Sequence, residues 1–391
     1  MIRGLTLWAI VGGCIVVVRF AGAQPADSAA PDPLTHPSAA TDFASLPPFG
    51  FTRLTTSDAY GRTIESYLSD APDADARPLV VSVQGSGCSS LFGLTDSGRV
   101  YGGLQSLVLR DFGDRVRVLV VEKPGVSFGD RPDQPGVGDG CPEVFLREHT
   151  VDRWTEALRA SIAHAVQQPG VDPDRVLILG HSEGADMAAH VAAADPALVS
   201  HVALLAGAGV TQLFDLMVLV GQSRSDDEPE ADRNARVLEV LETWRAIASD
   251  PDSITKTAWG HPYRRWSSFM ANSSAASLEQ IATTTPMFLA QGTADHSSPV
   301  VSFDAAVARV LVAGGDPVIR RVPGVDHGFA RVNDSGGEGP GGQGAEGLQA
   351  IMGEAVEWFL ADAGVEPTEP PATGRTTPST PSDPRSTRPA G

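Results

Sequence analysis

Between residues 50 and 362 the chain alternates short, almost continuous apolar runs with longer stretches in which apolar residues recur every three or four positions. The runs at 78–83, 116–121, 175–179, 202–206, 286–290 and 317–322 are five or six residues long. A strand with one wet face would alternate apolar and polar residues, so continuous runs of this length predict strands covered on both faces. Two further strands are expected near 50–55 and 63–68. Helical spacing is clearest over 150–168, where Trp154, Leu158, Ile162 and Val166 recur in steps of four. Helices are also predicted over 104–112 and 347–360, the second presenting Ile351, Ala355, Trp358 and Phe359 on one face. Strands that alternate with helices need crossovers on both sides of a sheet. The pattern therefore predicts an α/β domain with a mostly parallel central sheet flanked by helices.

One connection breaks this rhythm. Some 80 residues separate the runs at 202–206 and 286–290, far more than a single crossover needs. They hold an apolar helix over 213–220, an acidic stretch at 226–230, a second helix over 236–248, and a segment bearing Trp259, Tyr263, Trp266 and Phe269. We read residues 211–280 as a small lid insertion, whose aromatic residues either line a substrate pocket or pack among themselves.

The ends differ in composition from this domain, which we place at 46–362. Residues 24–45 are rich in Ala, Pro, Asp and Ser and are read as a flexible linker. Residues 363–391, rich in Pro, Thr and Ser, are read as a disordered tail. At the N-terminus, Arg3, an apolar stretch over 5–18 and the triplet Ala21-Gly22-Ala23 match a signal peptide, 1–23, cut after Ala23. That stretch is too short to cross a bilayer comfortably, so the mature form is expected to be exported without a stable membrane span. Lipidation at Cys14 and an uncleaved anchor are the less favoured readings. Removing the leader leaves Cys88 and Cys141, an even pair expected to form a disulfide in an oxidising compartment.

Charge narrows the partners. With 48 acidic against 29 basic residues, only two of them lysine, the net charge is −19 and no basic tract is available for nucleic acid.

The chemistry is concentrated beyond the strand at 175–179. Gly180-His181-Ser182-Glu183-Gly184 closes that strand and opens a helix of small residues, which is the setting in which G-x-S-x-G presents an exposed nucleophile. So sharp a turn brings residues 180 and 184 together, and glycine at both removes the clashing Cβ atoms. Ser182 is the candidate nucleophile, and the amide of Glu183, at the start of the helix, is a candidate oxyanion donor. A serine hydroxyl needs a base, and the base needs an orienting acid. His327, after the strand at 317–322, and Asp295, after the strand at 286–290, follow neighbouring strands and are assigned these roles. His181, His296, Asp326 and Glu122 are the rivals considered. The loop Gln84-Gly85-Ser86-Gly87 should supply the second oxyanion donor, Ser86 first and Gly87 second. No metal-binding or dinucleotide-binding motif occurs, and no cofactor is called for.

On these motifs the chain resembles the α/β-hydrolase fold superfamily. The elbow at 180–184, Gly292-Thr293-Ala294-Asp295 with Pro299-Val300, and Asp326-His327-Gly328-Phe329 occur in that superfamily's Ser, Asp, His order. The likeness is to exported bacterial serine esterases and to dienelactone-hydrolase and prolyl-oligopeptidase-like hydrolases, with a departure from the lipase pattern at Gln84. It implies hydrolysis of a carboxylic ester or related acyl bond through a Ser-His-Asp triad, on a small-molecule acyl substrate or short peptide. The alternatives carried forward are a serine peptidase or amidase, an acyltransferase, and a non-catalytic binding module on the same fold.

Overall fold

The computed structural model describes residues 48–332, except 72, 74, 96, 223, 224 and 226, together with residue 46, residues 343–362 and the backbone of 6–11 and 14–19. The expected cleavage site at Ala23, the expected linker at 24–45 and the expected tail at 363–391 lie outside the described residues. Residues 6–11 pair with 14–19 as an antiparallel hairpin.

The centre is an eight-stranded sheet. In chain order its strands are β1 (Phe51–Ser57), β2 (Thr63–Ser69), β3 (Arg77–Val83), β4 (Arg117–Val121), β5 (Val171–His181), β6 (His201–Leu205), β7 (Met287–Gly292) and β8 (Val318–Val322). Across the sheet they run β8-β7-β6-β5-β3-β4-β2-β1. The β1–β2 and β2–β4 pairs are antiparallel, and every other neighbouring pair is parallel. The ten helices among the described residues are α1 (Leu104–Phe112), α2 (Glu143–Glu148), α3 (Val151–Ala165), α4 (Glu183–Ala194), α5 (Gln212–Gly221), α6 (Glu230–Ser249), α7 (Tyr263–Ala271), α8 (Ser274–Gln280), α9 (Val300–Val312) and α10 (Gln343–Ala361).

The apolar runs are continuous because alternate residues of each strand enter different cores. Val81, Ile178, Leu204 and Leu289 face one side, where they pack with Trp154 and Leu158 of α3, Met187 of α4, Leu278 of α8 and Phe303 of α9. Val80, Leu177, Leu205 and Phe288 face the other, against Val108 of α1 and Ile351 and Phe359 of α10. This is the three-layer arrangement the pattern implies.

The expectation of burial on both faces fails at β8. It is an edge strand, and Arg320 and Arg321 are exposed, paired with Glu354 of α10 and Asp304 of α9. An edge strand needs a second apolar face least, and outward charge blunts its tendency to recruit another strand. Among the described residues no helix is long and apolar enough to cross a membrane.

Candidate active site

All the candidate residues sit at the carboxyl ends of β3, β5, β7 and β8. At the elbow, Ser182 has φ 58° and ψ −129°, a combination that a side-chain-bearing residue adopts only under strain. The neighbouring strand stabilises this geometry, since Ser182 N–H donates to Leu205 O at 3.0 Å. A Cβ on Gly180 would lie 2.0 Å from Gly184 O, and one on Gly184 would lie 2.2 Å from Val83 O. Both glycines are therefore steric requirements of the turn.

The acid and histidine loops are bonded to each other before their side chains meet. Thr293 N–H donates to Val322 O and Ala294 N–H to Val325 O, each at 3.0 Å. His327 Nδ1 then lies 2.8 Å from Asp295 Oδ2. Asp295 Oδ1 accepts from the amides of Ser297 at 2.7 Å and Ser298 at 2.9 Å, and Gln291 Nε2 donates to Oδ2 at 2.8 Å. Burial alone would raise this carboxyl, but the bonds from His327, Ser297 and Ser298 outweigh it and hold the pKa below the ordinary value. An ionised acceptor fixes the proton on Nδ1 and leaves Nε2 with its lone pair. His327 Nε2 is buried with no hydrogen-bond partner among the described residues, and His327 and Ser182 line the same cavity.

The rivals are placed elsewhere. His181 Nε2–H donates to the carbonyl of His327 at 2.9 Å, and burial pushes its pKa down to about 4, so it supports the histidine loop as a neutral ring. Asp326 accepts from the amides of Gly328 and Ala330, which shapes the turn around His327. His296 is exposed. Glu122 accepts from Ser90 and Leu91, and burial pushes it up to about 8.

The cavity above Ser182 measures about 160 Å³. Ser86 lines it, and a Cβ on Gly85 would lie 3.9 Å from Ser182 Oγ, so the loop after β3 flanks the nucleophile. Gly87 is packed against Gly136 instead and is not part of the lining. The amide of Glu183 opens α4, where helix geometry provides no intrahelical acceptor. The opposite wall belongs to the insertion between β6 and β7: Leu216, Leu219 and Val220 from α5, with Trp259 and Trp266. Of the four aromatics named from sequence, these two line the cavity, Tyr263 packs beside them, and Phe269 is buried in the main core. Two carboxyls also reach this wall. Asp186 is pushed up to about 6 and Asp215 to about 8, both chiefly by burial.

Sequence reasoning missed what lies beneath the elbow. The side chain of Glu183 is buried and accepts from Lys123 Nζ at 3.3 Å, from His149 Nε2–H at 3.0 Å, and from Arg265 of α7. Burial opposes the charge on this carboxyl, but His149, Lys123 and Arg265 together prevail and hold its pKa well below the usual range. His149 is pushed down to about 4 by burial and by the cations beside it, so it donates as a neutral ring. No motif joins positions 123, 149, 183 and 265. The only hint in the sequence is a lysine two residues beyond an apolar strand in a chain with two lysines.

Cys88 and Cys141 form the expected disulfide, with Cα atoms 5.8 Å apart. It ties the end of the loop carrying Ser86 to the segment 136–141, which in turn bonds to the insertion through Gly138 N–H to Gly260 O at 2.7 Å. Among the described residues no group of three or more His, Cys, Asp or Glu side chains is arranged to hold a metal ion. A wider groove of about 530 Å³ lies on the other side of Lys123, where Arg62 is already paired with Asp58 and Glu148.

Solved structures with a similar fold include a puromycin hydrolase (17% identity, TM-score 0.51, 81% of this chain and 40% of that one). A puromycin-hydrolyzing peptidase of Mycobacterium tuberculosis matches at 14% identity and TM-score 0.50, over the same shares of the two chains. An acylaminoacyl peptidase of Pyrococcus horikoshii matches at 14% identity and TM-score 0.51, covering 81% of this chain and 42% of that one. The chain has the α/β-hydrolase fold. The carboxyl ends of β3, β5, β7 and β8 lie along one rim of the sheet, where Ser86, Ser182, Asp295 and His327 stand. The chain spans about two fifths of the length of these hydrolase-fold structures. No protein-family model and no curated sequence matches it.

Proposed function

We propose that the chain is a serine hydrolase that works through an acyl-enzyme on Ser182. The observation that carries this reading is the 2.8 Å bond from His327 to Asp295, with His327 lining the same cavity as a serine in a strained elbow. In the proposed cycle Ser182 Oγ attacks an acyl carbonyl as His327 Nε2 takes its proton. Asp295 stabilises the imidazolium, and the amides of Glu183 and Ser86 receive the oxyanion. His327 then returns the proton to the leaving group and later draws one from water to release the acid.

The sequence-based order of preference put carboxylic esters before peptides. The named activities of the fold's neighbours favour the reverse, so we place a short peptide or aminoacyl amide first and treat esters as activated surrogates. A cavity of about 160 Å³ suits one ring-sized or smaller group beside the scissile bond. Export is part of the proposal, and the disulfide and the lack of a spanning helix among the described residues are compatible with it.

The test is a paired screen of p-nitrophenyl acyl esters and aminoacyl p-nitroanilides, alongside labelling with a fluorophosphonate. Both activities and the label should vanish in Ser182→Ala, with the circular dichroism spectrum unchanged. Turnover retained in that variant would reject the assignment. An ester-only profile would restore the esterase reading.

A further inference from the structure

The fully buried Lys123 has no place in the cycle above, yet all three of its N–H donors are committed. Nζ donates to Gly85 O at 2.6 Å, to Gly87 O at 2.8 Å and to Glu183 Oε1 at 3.3 Å, and lies 4.3 Å above the ring of Trp154. Burying an ammonium is costly even when it is paired, and a buried ion pair replaced as a whole by apolar side chains of similar volume often leaves the fold as stable or more so. A cation retained in so dry a place points to a geometric role. The two carbonyls it binds flank Ser86, the residue whose amide is assigned to the oxyanion.

In a trans peptide the C=O and N–H point in opposite directions, and no cis peptide occurs among the described residues. The Gly85 carbonyl is drawn toward Lys123, so the Ser86 N–H of the same peptide unit is aimed away from Lys123, in a loop that flanks Ser182. The bond to Gly87 O fixes the next peptide but one and prevents the loop from rotating as a unit. The third acceptor is the side chain of Glu183, whose own amide is the other proposed donor. Glycine at 85 and 87 would otherwise leave this loop free to turn.

We propose that Lys123 is a positioning residue that holds both oxyanion donors in register, the Ser86 amide through the Gly85 and Gly87 carbonyls and the Glu183 amide through the Glu183 carboxylate. This rests on the serine hydrolase reading of Ser182. It adds a group that touches neither substrate nor reacting atoms but sets where the oxyanion is received. Loss of one oxyanion donor lowers kcat by roughly 10² to 10³ with little effect on ground-state binding.

The experiment uses the full chain with p-nitrophenyl butyrate as substrate and phenylboronic acid as an anionic tetrahedral adduct former. Lys123→Met should lower kcat about 10²-fold or more, leave KM within threefold, and weaken phenylboronic acid binding by a factor similar to the loss in kcat. Lys123→Gln keeps two N–H donors and should fall between that variant and the unsubstituted chain. Because the chain contains two lysines, Lys123 and Lys256, [ε-¹³C]lysine labelling gives two resonances without any substitution. By reciprocal linkage, the boronate adduct should raise the titration midpoint of the buried lysine, leave that of exposed Lys256 in place, and do neither in Ser182→Ala.

A folded Lys123→Met with kcat within threefold of the unsubstituted chain, or one that loses activity only through KM, would overturn the proposal. Should neither variant fold, the lysine resonances decide, and a Lys123 midpoint indifferent to the adduct would overturn it. If the unsubstituted chain turns over neither esters nor amides and ignores the fluorophosphonate, the hydrolase reading itself falls, which is a different result.

Discussion

Replacing Asp295 by Asn tests the site most sharply, because the bonds around it determine what the new amide must do. The carboxylate accepts from four donors: His327 and Gln291 on Oδ2, and the Ser297 and Ser298 amides on Oδ1. Asparagine offers one oxygen. If that oxygen faces His327, its NH₂ confronts two backbone amides that cannot turn, leaving two buried donors unsatisfied at about 1–3 kcal/mol each. If the oxygen stays with the backbone amides, the NH₂ confronts His327 and Gln291, and both can adapt. Gln291 Oε1 has no partner among the described residues, so a flip of its amide supplies an acceptor at the expense of the 3.0 Å bond from Nε2 to Ser298 O. His327 adapts by moving its proton to Nε2. The second arrangement therefore wins, and it places a proton where Ser182 needs a lone pair. The expected cost is about 10⁴ in kcat, or ~5.5 kcal/mol of barrier, with KM nearly unchanged and a modest loss of stability. The assay is initial-rate kinetics on the better of the two chromogenic substrate classes, with thermal unfolding in parallel. A folded Asp295→Asn variant within tenfold of the original kcat would refute the assignment of Asp295 as the orienting acid.

Gly180→Ala places a methyl group 2.0 Å from Gly184 O and should cost about 3 kcal/mol or more, seen as a large drop in unfolding midpoint. Stability close to that of the unsubstituted chain would mean that the elbow is looser than described. The disulfide closes a loop with a sequence separation of 53, so Cys88→Ser with Cys141→Ser should lose up to about 4 kcal/mol. Alkylation should label these two cysteines only after reduction. For pH, burial raises Glu122 and Asp215 to about 8, so between pH 6.5 and 8 each holds a proton in the native chain that the unfolded chain has already lost. The contribution of each group to stability then falls as pH rises through that window, with a slope approaching ~1.4 kcal/mol per pH unit, while His149 and His181, held down at about 4 by burial, contribute with the opposite sign at its lower end because the unfolded chain still protonates them there. Glu122→Gln should remove the Glu122 share, and a stability difference between this variant and the unsubstituted chain that stays constant from pH 6.5 to 8 would contradict the assignment.

The parts of this site that could be read in the sequence share one property: each follows an apolar run within a few residues. Ser182, Asp295 and His327 are separated by more than a hundred positions in all, but a parallel sheet brings the carboxyl ends of its strands to one rim, so a strand pattern was enough to gather them. Ser86 followed by the same logic. Lys123 also follows a strand, but its role depends on two carbonyls and a carboxylate brought in from other segments, and carbonyls have no sequence signature. Glu183 was valued for its amide alone, since nothing near it in the chain reveals that its side chain turns inward to meet His149 and Arg265. The edge position of β8 was misjudged because an apolar run interrupted by Arg320 and Arg321 looks much like a central strand until its neighbours are known.

The wall facing Ser182 comes largely from one uninterrupted stretch of chain, inserted between β6 and β7 and contacting the rim that carries the proposed triad without supplying any of it. Such a layout separates two evolutionary problems. Reactivity is fixed by strand ends that must keep their mutual geometry, while selectivity can be rewritten in a single contiguous segment, by recombination as readily as by point substitution. Arg265 sets the one condition on that exchange. Its guanidinium helps neutralise the buried Glu183 carboxylate, so a transplanted segment must bring a cation to the same spot, or the elbow beneath it loses part of its charge balance along with its old substrate.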